Sequence, residues 1–170
     1  MTVFESIEQK DIYFMEKALE QARLAAMQGE VPVGAVIVKD NEIISEAFNT
    51  RETSKNALSH AELEAIDKAC KKLGGWRLWQ CELYVTLEPC PMCTGAIINS
   101  RIKRVVYGAY DRKAGSCKSV INLFDLPYNH KPEVTDGVLK EECAQLLSDF
   151  FKKLRIKTEN NKGVRSFGKA

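Results

Sequence analysis

The sequence is poor in histidine: only His60 and His130 occur among its 170 residues. No apolar run reaches the ~18 residues of a membrane-spanning helix, which excludes a helical anchor and predicts no membrane partner. The opening residues, Met1 to Lys10, carry neither a basic n-region nor an apolar h-region. No secretory signal is therefore expected, and a cytoplasmic location is the default. Internal repeats and low-complexity linkers are missing too, which leaves one domain followed by a short loose tail. The six cysteines, at 70, 81, 90, 93, 117 and 143, have little reason to pair in a chain of this size without an export signal. Only Cys90 and Cys93 stand at an informative spacing. The other four read as buried or half-buried thiols used as small apolar side chains.

What is present suits a single ordinary core. Apolar residues make up 45% of the chain and charged residues 28%, the balance of a globular protein long enough to bury one core. The net charge of +2 hides an asymmetry. Lys152, Lys153, Arg155, Lys157, Lys162, Arg165 and Lys169 face only Glu159, so the C-terminal end carries +6 and the body −4. Such an end can meet a phosphate backbone or simply be solvated, and taken alone the solvated reading is the simpler. The expected division is a domain over residues 1–155 and a basic, flexible tail over 156–170.

Ile12, Met15, Leu19, Ala22 and Ala26 recur at steps of three and four, predicting an amphipathic helix that ends at Gly29. Residues 33–38 form a nearly unbroken apolar run, the pattern of a strand covered on both faces. Asp40-Asn41 predicts a tight turn into a second strand over 42–48. Ser59-x-x-Glu62 matches a capping box, with Leu58 and Leu63 at the staple positions, for a helix running to Gly74-Gly75. Leu83 to Leu87 reads as a strand, and Pro91 opens a third helix. Arg104 to Gly108 reads as another strand, and Leu139, Cys143, Leu146, Leu147, Phe150 and Leu154 mark a C-terminal helix. This alternation predicts an α/β fold: a three-layer α/β/α sandwich around a mixed sheet of about five strands.

Zinc takes nitrogen and sulfur ligands, and a catalytic site keeps three protein ligands and one open position. His60, Cys90 and Cys93 supply three such ligands and no obvious fourth. Both places fall at predicted helix starts, where free N–H groups and the helix dipole favour thiolates. An ion with an open position brings its bound water to a pKa near ~7. Glu62, two residues from His60, is placed to exchange protons with that water without binding the metal. The pattern H-x-E…P-C-x-x-C is the signature of zinc nucleobase deaminases. Each part alone has a plainer reading. Cys90 and Cys93 could be a redox pair or half a structural zinc site, Glu62 a cap carboxylate, and His60 a structural residue. A four-cysteine site needs a second pair, however, and Cys70, Cys81, Cys117 and Cys143 offer none. His130 reads as structural.

On these residues and their flanks the chain resembles the bacterial tRNA-specific adenosine deaminases of the cytidine-deaminase-like superfamily. The shared blocks are residues 30–36 (Glu-Val-Pro-Val-Gly-Ala-Val), Asn49, His60-Ala-Glu62, and the run from Tyr84 to Cys93. They continue with Ser100-Arg-Ile through Tyr107-Gly-Ala109, then Asn129-His130, and Leu146 to Phe151. The resemblance implies one zinc ion held by His60, Cys90 and Cys93, with Glu62 as proton shuttle for a zinc-bound hydroxide. It implies hydrolysis of adenosine to inosine at the first (wobble) anticodon position, a tRNA anticodon loop as partner, and a homodimer. It further implies that Asn49 and Asn129 hold the flipped base and its ribose, with Asp111 near the RNA backbone. Deaminases of small molecules share the metal motif, so a zinc deaminase of a free nucleobase or nucleoside such as guanine or cytidine is the alternative. A non-enzymatic RNA-binding protein with structural zinc and a basic tail is a further one.

Overall fold

The computed structural model describes residues 3–166, with side chains through residue 161. Helix α1 spans Ile7–Met27; the Ser6 side chain caps it by accepting from the Gln9 N–H, and Gly29, at φ 76°, follows its end. Strands β1 (Gly34–Lys39) and β2 (Glu42–Phe48) form an antiparallel hairpin. Asp40 and Asn41 turn it at φ 51° and 60°, the left-handed pair of a type I′ turn, which Asp and Asn tolerate. A one-turn helix, α2 (Arg51–Ser54), precedes α3 (Ala61–Leu73), which Gly74 ends in the left-handed conformation. Then come β3 (Cys81–Leu87), α4 (Pro91–Ser100), β4 (Arg104–Ala109), a 3-10 turn (Leu123–Asp125), β5 (Glu133–Asp136) and α5 (Lys140–Ser166).

The five strands lie in the order β2-β1-β3-β4-β5. β1 runs antiparallel to β2 and β3, while β3, β4 and β5 are parallel. The mixed three-layer sandwich is as expected from the sequence. Successive side chains of a strand point to opposite faces, and β1 divides accordingly. Ala35 and Ile37 join Ala61, Ala65 and Ile97 of α3 and α4 in one core. Val36 and Val38 join Phe14, Met15 and Cys143 of α1 and α5 in the other. α1 crosses β1 closely: a Cβ at Gly34 would lie 2.0 Å from the Ala18 carbonyl and 2.4 Å from the Ala22 nitrogen.

The end of the sheet where β3 and β4 begin is tied by buried charge. Arg104 donates to both carboxylate oxygens of Asp11 at 2.7 and 2.6 Å, and to Thr135 at 2.7 Å. It also pairs with Glu82 at 3.1 Å, which in turn pairs with Lys10, while the Tyr84 hydroxyl donates to Asp11 at 2.9 Å. One network thus joins α1, β3, β4 and β5.

Two features differ from expectation. Helix α3 starts one residue later than the capping box requires: His60 is its N-cap, at φ −82° and ψ 148°, with no side-chain cap bond. Ser59 is instead locked into the preceding loop, its N–H donating to the Asn56 carbonyl and its carbonyl accepting from Thr50. The shift frees Glu62 from the cap. α5 also crosses the 155/156 boundary unbroken and stays helical to Ser166, with residues 151–161 exposed. Lys169 and the side chains of Lys162 and Arg165 lie outside the described residues. Among the described residues, no helix is long and apolar enough to cross a membrane.

Candidate active site

Parallel α/β sheets place ligand sites beyond the carboxyl ends of their strands. Here a cavity of about 210 Å³ opens beyond β3, between the N-terminal ends of α3 and α4. Pro91 fixes the first turn of α4 and so sets Cys90 at its N-cap and Cys93 one turn in. His60 occupies the corresponding place on α3. The His60 Nδ1 atom lies 3.6 Å from both the Cys90 and the Cys93 sulfur, and all three donor atoms fall within 4.8 Å of one another.

This donor set fits zinc. Ideal tetrahedral bonds, at ~2.05 Å to nitrogen and ~2.3 Å to sulfur, put N and S about 3.6 Å apart, the separation seen for both pairs. The protonation chemistry agrees. A hydrogen bond from Cys93, joined by His60, holds the Cys90 thiol down to about 4 against the effect of burial. The same bond and burial push Cys93 up. The two sulfurs therefore already carry a negative charge for a cation to meet.

Glu62 is 4% exposed and lines the cavity beside His60 and Cys90. Burial, reinforced by the negative charge of Cys90, pushes its carboxyl up to about 7. A group at that value both accepts and releases a proton near neutrality. Val31, Val33 and Leu87 supply the apolar wall.

Asn49 and Asp111 also line the cavity. The Asn49 side chain donates to the Val31 carbonyl at 3.2 Å and accepts from the Arg51 N–H at 3.2 Å. It is thus a turn residue and a wall residue at once. Asp111 accepts from the Lys113 and Ala114 N–H groups at 2.9 and 3.2 Å. Asn129 is exposed and not among the lining residues, so the cavity does not bring it to the donor set. His130 Nε2 donates to the Ile102 carbonyl at 2.7 Å and is not part of the His60, Cys90 and Cys93 cluster. Sequence reasoning missed Arg51, Glu30 and Glu88. The last two are single carboxylates set against apolar strands, a signal that could have marked them for notice.

A nitrogen-and-sulfur donor set beside a buried carboxyl, at the strand ends of an α/β/α sandwich, defines a hydrolytic deaminase type of site. Residues 8–155 match the family model of MafB19-like deaminases. The chain is 50% identical over 149 residues to a tRNA-specific adenosine deaminase of Bacillus subtilis (strain 168), covering 87% of this chain and 92% of that protein. It is 51% identical over 144 residues to one of Aquifex aeolicus (strain VF5), covering 84% and 95%. A solved structure from a study of A-to-I editing by tRNA A34 deaminases at the wobble position superposes with a TM-score of 0.78 at 43% identity, covering 79% of this chain and 99% of that one. The chain belongs to the deaminase family, in the branch whose curated members are the tRNA-specific adenosine deaminases.

Proposed function

We propose that this protein deaminates adenosine to inosine at the wobble position of a tRNA anticodon loop. The observation that carries the chemistry is the meeting of the His60, Cys90 and Cys93 donor atoms with the buried Glu62 carboxyl in one cavity. Family membership carries the substrate. When bound, a zinc ion in this site supplies a water that ionises near neutral pH.

His60, Cys90 and Cys93 would hold that ion. Glu62 takes a proton from the attacking water and passes it to the purine ring as C6 is attacked. It then takes the remaining proton from the new C6 hydroxyl and delivers it to the exocyclic nitrogen, so that the C6–N bond breaks, ammonia leaves and the C6 carbonyl of inosine forms. Val31, Val33 and Leu87 face the extruded base and exclude bulk water. Asn49 reads the base or ribose with the amide capacity its turn bonds leave unused, since that side chain offers two donors and two acceptor lone pairs. Asp111, also in the cavity wall, lies toward the RNA backbone, while Asn129 reaches the RNA outside the cavity. An anticodon loop splays its bases, so extruding one costs less than from a duplex.

Residues 1–155 serve as the deaminase domain. The exposed bases Lys152, Lys153, Arg155 and Lys157 begin a basic extension that attracts phosphates. A homodimer belongs to the same reading, and exposed Trp76 and Trp79 leave apolar surface for it to bury. Six free thiols suit a reducing compartment, the cytoplasm.

The test is substrate choice. The zinc-loaded protein is incubated with an adenosine-containing anticodon stem-loop and, separately, with free guanine, cytidine and adenosine. Inosine in the RNA and no turnover of the free compounds supports the reading. Rapid deamination of a free compound with no inosine in the RNA would replace it by a small-molecule deaminase.

A further inference from the structure

Two segments of the cavity wall, the α2 turn and the loop after β4, are each fastened to a buried carboxylate that plays no part in the chemistry above. Glu88 is 1% exposed and Glu30 fully buried. Glu88 accepts from the N–H groups of Asp111 at 3.0 Å, Cys117 at 3.3 Å and Ser119 at 2.8 Å, and from the Ser119 hydroxyl. These four bonds gather the loop that carries Asp111 and Ala114 into the cavity wall. Glu30 accepts from the N–H groups of Glu52 at 3.1 Å and Thr53 at 2.5 Å and from the Thr53 hydroxyl at 2.6 Å. These bonds fix the segment that carries Asn49 and Arg51 into the cavity wall.

We propose that Glu30 and Glu88 are positioning residues that set the shape of the substrate cavity by clamping two segments of its wall, the α2 turn and the loop that carries Asp111 and Ala114. The inference rests on the cavity's being the RNA site. Every one of these partners is an N–H or O–H donor, and no lysine or arginine is among them. Five of the seven bonds come from backbone N–H groups, which can only donate, and each carboxylate oxygen accepts at least one of them. Glutamine in either place turns an NH₂ group against backbone N–H donors and leaves one side of the clamp unmade. The fit is tight as well as polar: a Cβ at Gly115 would lie 2.4 Å from the Glu88 carboxyl carbon and 2.4 Å from the Asp111 carbonyl. The loop is therefore seated directly on the carboxylate. Burial pushes the Glu30 carboxyl up, but the bonds from Thr53 and Glu52 outweigh it and hold it below its ordinary value. Misplacing a binding wall by about 1 Å costs on the order of 10²-fold in rate, so a slack clamp has a measurable consequence.

The experiment compares wild type with Glu88→Gln and Glu30→Gln by amide hydrogen exchange, zinc content and steady-state kinetics on the anticodon stem-loop. Exchange is expected to quicken at Asp111, Cys117 and Ser119 in the first variant and at Glu52 and Thr53 in the second, with β3 and β4 unchanged. Zinc content should stay at the wild-type level while kcat/KM falls tenfold or more, chiefly through KM. Should the glutamine variants fail to fold, Ser119→Ala and Thr53→Val each remove one hydroxyl donor, and Gly115→Ala lifts the loop from the opposite side. Each should raise KM at least twofold with metal retained. Wild-type exchange at the named amides, or wild-type KM with accelerated exchange, would overturn the proposal. An inactive wild-type protein would instead refute the functional reading, and the exchange data would still decide the clamps.

Discussion

Replacing Asp11 with alanine tests the packing account at the point where its cost is largest. Asp11 and Arg104 are 5% and 6% exposed, and their two parallel hydrogen bonds run at 2.6 and 2.7 Å. Removing one partner of a buried pair costs about 3–5 kcal/mol, mostly by stranding the other charge. Glu82, 3.1 Å from Arg104, keeps part of the compensation, which places the loss near the lower end, about 3 kcal/mol. Against a total of roughly 5–15 kcal/mol for a domain, that is a large fraction. At about 2–4 °C per kcal/mol for this size, the melting temperature should fall by roughly 6–12 °C. Urea unfolding should show a lower midpoint with an unchanged slope. Replacing both partners with apolar side chains, Asp11→Leu with Arg104→Met, should recover most of the loss, because no charge is then stranded. The network lies at the opposite end of the sheet from the cavity, so kcat and KM at 20 °C should match wild type in every variant. A Asp11→Ala protein within 1 kcal/mol of wild type, or a double variant less stable than the single one, would refute the reasoning.

Three further outcomes follow from the same structure. The Glu82 carboxyl is raised by burial but held below its ordinary value by stronger bonds from Lys10, Arg104 and Tyr84. Its contribution is thus complete above pH ~4.5 and is lost as pH falls through the lower folded value; Glu82→Gln should flatten the acid limb of urea midpoint against pH, and an unchanged acid slope would contradict this. Cys90→Ser removes a thiolate donor and should bring bound zinc well below one per chain by metal analysis, with chelator-treated wild type regaining activity on adding zinc and the serine variant not. Gly34→Ala drives a Cβ into the backbone of α1 and should cost about 1–3 kcal/mol or more; a melting temperature equal to wild type would show that α1 packs less closely than described.

Much of the fold is written in local pattern. β1 and β2 announce themselves through an unbroken apolar run and the Asp40-Asn41 turn, and Gly74 marks the end of α3. β5 does not: Glu-Val-Thr-Asp has one apolar residue, and it is a strand because β4 offers it an open edge. The meeting of His60, Cys90 and Cys93 in one cluster was legible because histidine is scarce and the cysteine spacing is specific. Glu62 was legible in type but not in placement, since the local capping signal competed with its place in the cavity and only the Ser59 loop contacts settle which prevails. Glu30 and Glu88 stayed hidden because their partners are mainly backbone N–H groups of segments 22 to 31 residues distant, which no side-chain pattern encodes. Asn129 shows the converse: a residue singled out by resemblance that the single chain leaves on the surface.

The most direct test of the central claim is Glu62→Gln assayed on the anticodon stem-loop with metal content measured on the same sample. Glutamine preserves the size of the side chain and removes its capacity to carry a proton. The account predicts about one zinc per chain, as in wild type, an unchanged melting curve, and inosine formation reduced by roughly 10²-fold or more. Inosine formation at the wild-type rate with zinc in place would contradict it.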